Sequence, residues 1–392
     1  MKRFAIVNAR IVLPEQVVTG HALIVEESRI AAIVAQSGVG SGIEVIDAAG
    51  AWLTPGLIDI HTHGALGYTF NEPSGEAFAA ITRENARHGV TSLLATMAAA
   101  PISELTACFD FVRSWRASAQ NGMGGGAQVL GVHLESPYIN PAQAGALNRE
   151  YLRTPDDGSA DALLPYADVL RILVLAPELP GSMELIRKLT QAGIVAAAGH
   201  TMAKDEHILT AMTHGLRHVT HIWSAMSSTV REGPWRKPGL VESALTFEGL
   251  TIEMIADNRH LPPTLMKLAA RCIEPERLCV ISDATSGAGL SEGATFYMAG
   301  MAYEVSDGVG MMLDRTAFGG STTLLNQMIP VLIDVVGVPL PDAIRMATLT
   351  PATVIGCSDR KGSIAPGKDA DLVIFNEDFK PLHVIIGGQF YV

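Results

Sequence analysis

Eight apolar runs recur through the middle of the chain, at 57–63, 91–96, 129–135, 170–178, 194–200, 218–224, 251–257 and 278–283, and helical stretches separate them. Continuous apolar strands alternating with helices call for a parallel sheet covered on both faces. Eight such units is the number that closes a (β/α)8 TIM-like barrel. An open, doubly wound α/β sheet is the alternative. It does not anticipate that most of the runs finish in a chemically capable residue: His61 and His63, Glu135, Glu178, His200, His221, Asp257 and Asp283. Active sites of TIM barrels lie at the C-terminal ends of the strands. Residues far apart in sequence would then converge on one mouth.

The two ends of the chain read differently. Segments 4–13, 22–25 and 30–34 are strand-like, with Glu27-Ser28-Arg29 as a turn between the last two. Near the C-terminus, 371–375 and 384–386 are short apolar strands, followed by a Gly387-Gly388 turn. A small β-sandwich domain built from both termini is expected, residues 1–52 plus 361–392, around a barrel domain of residues 53–360. With 392 residues, 48% of them hydrophobic, the chain can bury one large core and a smaller one.

A formal net charge of −12 argues against nucleic-acid or anionic-membrane partners. Small anionic substrates stay open, because local basic residues can bind a phosphate. Cys108, Cys272, Cys279 and Cys357 are scattered without a Cys-x-x-Cys spacing, which reads as reduced thiols in a cytoplasmic protein. Lys2 and Arg3 precede an apolar run, but Asn8, Arg10 and Pro14 interrupt it before a signal-peptide core is complete. Apolar stretches are too short to span a bilayer. The run Gly122-Met-Gly-Gly-Gly126 lacks the Gly-Lys-Ser/Thr of a phosphate loop and opens no helix, so a flexible connection is expected.

His61 and His63 lie two apart in a β-like segment and therefore point the same way. They can present two imidazoles to one point, as ligands for zinc, iron or manganese, or be two surface or core histidines. Glu135 and Asp283 end apolar runs, where an unpaired carboxylate is costly. His200 follows Ala196-Ala-Ala-Gly199 and would otherwise be a core histidine bonded to backbone. His221 has His214 and His218 nearby, so one of them could be a surface residue. Glu178 suits a structural hydrogen-bonding role as well as a catalytic one. His133 shares a strand face with Glu135 and suits a supporting role. Without neighbouring cysteines, a closed structural zinc site is disfavoured; an open site with a water position is the catalytic type.

The segments Pro55-Gly-Leu-Ile-Asp-Ile-His-Thr-His63, Gly131-Val-His-Leu-Glu135, Ala198-Gly-His-Thr201, Thr220-His-Ile-Trp-Ser-Ala-Met226, Ser282-Asp-Ala284 and the tail from Lys361 to Ile374 resemble the amidohydrolase superfamily. More narrowly, they are similar to the N-acetylglucosamine-6-phosphate deacetylase family. The resemblance implies a divalent metal held by Glu135, His200 and His221, zinc first among the candidates. It leaves room for a second ion at His61 and His63, with Glu135 shared, so one or two per subunit, and it implies Asp283 as general base and acid. A sugar-phosphate pocket would use Arg236, His260 and the backbone at Ser224 and Ala225. The arginine comes from a neighbouring subunit in such enzymes, which implies a homodimer. The reaction expected is hydrolysis of the acetamide of N-acetylglucosamine-6-phosphate to glucosamine-6-phosphate and acetate. Four segments depart from the family pattern: Leu134-Glu-Ser-Pro137, Ser224-Ala-Met226, Asp257-Asn-Arg-His260, and Leu147, where His or Gln is usual. All four bear on substrate and not on metal. A different N-acyl amine, a cyclic amide or a deamination is therefore the rival chemistry, and a non-catalytic binding protein the rival class.

Overall fold

The computed structural model describes residues 3–118, 121 and 125–391. Residues 122–124 of the glycine-rich segment lie outside them. Eight parallel strands form one sheet in chain order: β1 (Leu57–Thr62), β2 (Val90–Met97), β3 (Gln128–Tyr138), β4 (Leu170–Leu175), β5 (Val195–Ala198), β6 (His218–Val219), β7 (Thr251–Ile255) and β8 (Leu278–Ile281). The sheet closes at the C-terminal end. Asp283 N donates to His61 O at 2.9 Å, and Thr62 bridges Ala284 in parallel. Asp59 of β1 reinforces the seam by accepting from Ser282 Oγ at 2.5 Å and Ser282 N at 3.3 Å. This is the TIM-like barrel that the eight apolar runs predict.

Several strands end sooner than the runs suggest, for a backbone reason. His200, His221 and Asp283 have φ of 47°, 22° and 49°, a left-handed conformation that cannot continue a strand. The apolar run thus delivers a polar side chain just past the sheet, at the mouth.

Helices cover the barrel. α1 (Gly75–Arg87) starts at Ser74, whose Oγ accepts from Ala77 N, and buries Phe78 and Ile81 at helical spacing. α2 (Ile102–Ala117) buries Leu105, Phe109 and Val112 in the same way. α3 (Ser182–Gln191), α4 (Asp205–His214), α5 (Leu240–Thr246) and α6 (Pro263–Cys272) follow β4 to β7. After β3 the described chain forms only short 3-10 turns, so the strand–helix alternation is broken there.

Both termini build two further sheets. The first orders Arg29–Ala35, His21–Glu26, Arg3–Val7 and Glu44–Asp47; the second orders Gln389–Phe390, Pro381–Ile386, Leu372–Phe375, Trp52–Pro55, Arg10–Val12 and Val17–Val18. Phe4, Ile6 and Leu23 from the first pack with Ile11, Leu53, Leu372 and Ile385 from the second. Alternation along Arg3–Val7 sends Ala5 and Val7 into a separate cluster on the other face. Among the described residues, no helix is long and apolar enough to cross a membrane.

An antiparallel meander follows β8, beyond what the apolar runs anticipate: Thr295–Met298, Met301–Ser306, Val309–Met312 and Phe318–Ser321. Asp307 and Gly308, with φ of 51° and 81°, turn between Ser306 and Val309, as a two-residue hairpin requires.

Lys361, first residue of the tail motif, is buried between the terminal sheets and the barrel. Its Nζ donates to Asp371, lies 3.4 Å from Asp369, and reaches Gln128 of β3 at 2.7 Å. Removing the cation leaves the buried Asp371 without its cationic partner, whereas Asp369 keeps Arg29 and Arg360. Lys361→Met is expected to lower unfolding free energy by about 3–5 kcal/mol, measured as the shift of the urea midpoint at unchanged slope.

Candidate active site

Side chains from five strand ends meet at the barrel mouth. The Oε1 atom of Glu135 lies 2.7 Å from His221 Nε2, 3.1 Å from His200 Nε2 and 3.5 Å from His61 Nε2. Its Oε2 lies 3.1 Å from His63 Nε2. Asp283 Oδ1 is 3.3 Å from His61 Nε2 and 3.4 Å from His63 Nε2. All six side chains are buried. Two groups with metal-ligand geometry share Glu135: Glu135 with His200 and His221, and Glu135 with His61 and His63.

Hydrogen bonds on the far side of two rings fix what these nitrogens offer. His200 Nδ1 donates to Gln143 O at 2.8 Å, which leaves the Nε2 lone pair facing Glu135. His61 Nδ1 donates to Glu253 Oε2 at 2.9 Å, so its Nε2 lone pair faces Glu135 and Asp283. His61 Nε2 is buried without a hydrogen-bond partner of its own. Acceptors facing acceptors need a cation between them, so the residues fit a divalent ion.

Without an ion, a proton meets the same demand for positive charge. Burial opposes an imidazolium at His61, yet the carboxylates of Glu253, Asp283 and Glu135 outweigh it and hold its pKa well above the usual value. Burial likewise opposes the Glu135 carboxylate, but His61, His200 and His221 pull its pKa well below the ordinary range. The carboxylates draw positive charge onto the cluster. His133 behaves oppositely: burial, with His61 alongside, holds it down to about 3. It stays neutral and donates from Nδ1 to Ile60 O at 3.0 Å, a supporting position behind the cluster.

Outside the cluster, a cavity of about 750 Å³ opens from Glu135, His63 and Asp283 past Ser224, Ala225 and His260. His260 is held by Asp257, through Nδ1–Oδ2 at 2.7 Å and the backbone amide at 2.9 Å, and its ring packs on Phe318. Leu147 lines the cavity together with Met298, Met301, Met312 and Phe318 of the meander. Tyr303 OH donates to Ala146 O at 2.8 Å and ties the Leu147 loop to that meander. Glu178 takes the structural role: it accepts from Asn140 Nδ2 at 2.9 Å, Met202 N at 2.6 Å and Thr201 Oγ1, holding the loops on either side of His200. Arg236 lies outside the cavity of the single chain, on an exposed hairpin of Val230–Glu232 and Trp235–Lys237.

Two features escape the sequence reading. Glu253 contacts both His61 and His221, and its signal is one carboxylate inside the apolar stretch Thr251-Ile-Glu-Met-Ile255. The methionine wall comes from the meander, whose alternating Phe296, Met298, Tyr303 and Val305 around Asp307-Gly308 is a hairpin pattern.

Comparison with known proteins agrees with this geometry. Residues 52–390 match the amidohydrolase family, and residues 3–53 match the NagA composite domain. N-acetylglucosamine-6-phosphate deacetylase of Bacillus subtilis (strain 168) is 32% identical over 338 residues, 86% of this chain and 84% of that protein. N-acetylgalactosamine-6-phosphate deacetylase of Escherichia coli O157:H7 is 32% identical over 341 residues, 86% of this chain and 87% of that protein. A mutant N-acetyl-D-glucosamine-6-phosphate deacetylase of Mycobacterium smegmatis, solved in complex with N-acetyl-D-glucosamine-6-phosphate, superposes with a TM-score of 0.90 at 26% identity and covers 100% of both chains. Family and cluster together indicate a divalent metal ion. His200→Ala removes one member of the Glu135–His200–His221 group: titration of the metal-free protein with zinc against a chelating dye is expected to show one ion bound at least about tenfold more weakly than in the wild type.

Proposed function

The chain belongs to the amidohydrolase family and, within it, to the N-acetylglucosamine-6-phosphate deacetylases, and from this we propose that it hydrolyses the acetamide of N-acetylglucosamine-6-phosphate to glucosamine-6-phosphate and acetate. One observation carries the reading. Glu135 gathers the Nε2 atoms of His200, His221, His61 and His63, and Asp283 stands 3.3–3.4 Å from the last two.

We assign the ion to Glu135, His200 and His221, with zinc as the first candidate and iron or manganese tolerated by the same ligands. A second ion would sit at His61 and His63. A divalent ion held by these residues would supply Lewis acidity toward the acetamide carbonyl and acidify a water. Asp283 accepts the proton of the attacking water. It then returns that proton to the departing amine, acting in turn as base and acid. The burial around Glu135 excludes bulk water and strengthens each of these interactions.

His260, Ser224 and Ala225 line the cavity on its open side and would meet the sugar phosphate. Arg236 is exposed on its hairpin and does not line the cavity of its own chain, so it would reach a phosphate there from a neighbouring copy. Trp235 and Val230 are exposed on that hairpin and give it an apolar surface to dock, which supports a homodimer. Four free thiols suit a reducing cytoplasm.

A second reading concerns the sugar. The galactosamine-6-phosphate relative is as similar to this chain as the glucosamine-6-phosphate one. Leu147, buried at the cavity wall, offers no hydrogen bond to discriminate hydroxyl configuration. Initial rates on both N-acetylhexosamine-6-phosphates, on unphosphorylated N-acetylglucosamine and on a cyclic amide separate the possibilities. The phosphorylated glucosamine derivative is expected to give the highest kcat/KM, and preference for a cyclic amide would overturn the proposal. Asp283→Asn is expected to retain metal and to lower kcat by about 10²–10⁴-fold; a kcat within a few-fold of wild type would remove Asp283 from its assigned role.

A further inference from the structure

Beneath the metal cluster, one carboxylate collects three donors and has no direct place in the chemistry. Glu253 sits in the middle of β7, fully buried. Its Oε2 accepts from His61 Nδ1 at 2.9 Å and from the backbone N–H of His221 at 3.2 Å. Its Oε1 accepts from His218 Nε2 at 3.1 Å, and His218 Nδ1 lies 2.7 Å from Thr251 Oγ1. An isolated carboxylate at this depth would be costly; these contacts offset the cost and fix its orientation.

Each contact constrains a different ligand. The bond to His61 Nδ1 keeps the proton on that nitrogen and turns the Nε2 lone pair to Glu135 and Asp283. The bond to His221 N holds a backbone with φ of 22°, a conformation that persists only where surrounding contacts enforce it. His61 belongs to one candidate ion group and His221 to the other. A single oxygen atom therefore touches both halves of the centre.

We propose that Glu253 is a positioning residue that couples the two ion sites, orienting His61 through its ring and His221 through its backbone. The inference rests on the reading that ions occupy both groups. A rival use of the same atoms is a further ion among His61, His133 and Glu253, since His133 Nε2 is buried without a partner. It requires His61 Nδ1 to give up the proton that it shares with Glu253, and ion counting distinguishes the two.

Glu253→Gln is nearly isosteric. Its amide oxygen can still accept from His61 and His221, and its amide N–H can donate to His218 Nε2 with the ring proton on Nδ1 toward Thr251 Oγ1, while the negative charge beside His61 is gone. Glu253→Ala removes both charge and acceptor. Metal content after dialysis, and titration of the metal-free proteins with zinc against a chelating dye, read the effect directly. Wild type is expected to bind two ions, and Glu253→Ala to keep at most one. Glu253→Gln is expected to bind the second ion about ten- to a hundredfold more weakly, with its metal-free melting temperature unchanged. That last comparison separates positioning from mere support of the fold and stands even where the alanine variant does not fold. Two ions in wild type with unchanged second-ion affinity in Glu253→Gln would overturn the inference alone. Fewer than two ions in wild type would overturn it together with the two-ion reading. Three ions in wild type would make Glu253 a ligand and overturn the positioning role.

Discussion

A buried carboxylate facing histidine lone pairs is the constraint on which this structure turns. Glu135 meets the Nε2 atoms of His200 and His221 through one oxygen and that of His63 through the other. Hydrogen bonds behind the His200 and His61 rings commit their protons elsewhere, to Gln143 O and Glu253. What remains at the mouth is an inward-facing set of acceptors that a cation must balance. Barrel and loops serve to hold these acceptors within reach of one another against their mutual repulsion.

The barrel meets that demand through its seam and its strand ends. Asp59 and Ser282 join β1 to β8 directly beneath His61 and Asp283. Burial pushes the Asp59 carboxyl up to about 6, and bonds from Ser282 and His61 N limit the rise. Just beyond the seam, three of the key residues adopt left-handed backbones. Such conformations cost of order 1–3 kcal/mol each and cluster at functional sites. Here they turn the side chains of His200, His221 and Asp283 into the mouth and away from the strand's ordinary alternation.

The cavity wall is built on a different layer. The wall that faces the cluster combines Leu147 with Met298, Met301, Met312 and Phe318, and Tyr303 fastens the Leu147 loop to the meander. Methionine is flexible and polarizable, and so adapts to irregular ligand surfaces. Three of the four departures from the family pattern, at 224–226, 257–260 and Leu147, lie on loops beyond the strand ends, while Ser136 and Pro137 lie in β3 beside Glu135.

Sequence alone determined the barrel, because a fully covered parallel strand needs a continuous apolar run and eight such runs are visible. It also marked His61, His63, Glu135, His200 and His221 as polar groups closing apolar runs, and these are the side chains that meet at the barrel mouth. The terminal β sheets were legible from the same strand patterns at both ends. Tertiary structure alone decided the rest. Glu253 is one polar residue in an apolar strand until folding brings β7 between β6 and β8 and its carboxylate under two histidines. The tautomers of His61 and His200 depend on partners 192 and 57 residues away. Arg236, read from its motif as a phosphate ligand supplied by a neighbouring subunit, is exposed on a hairpin and does not line the cavity of its own chain. A local pattern records which face of an element is buried; it holds no record of which distant atoms share a hydrogen bond, and that sharing fixes protonation and reach.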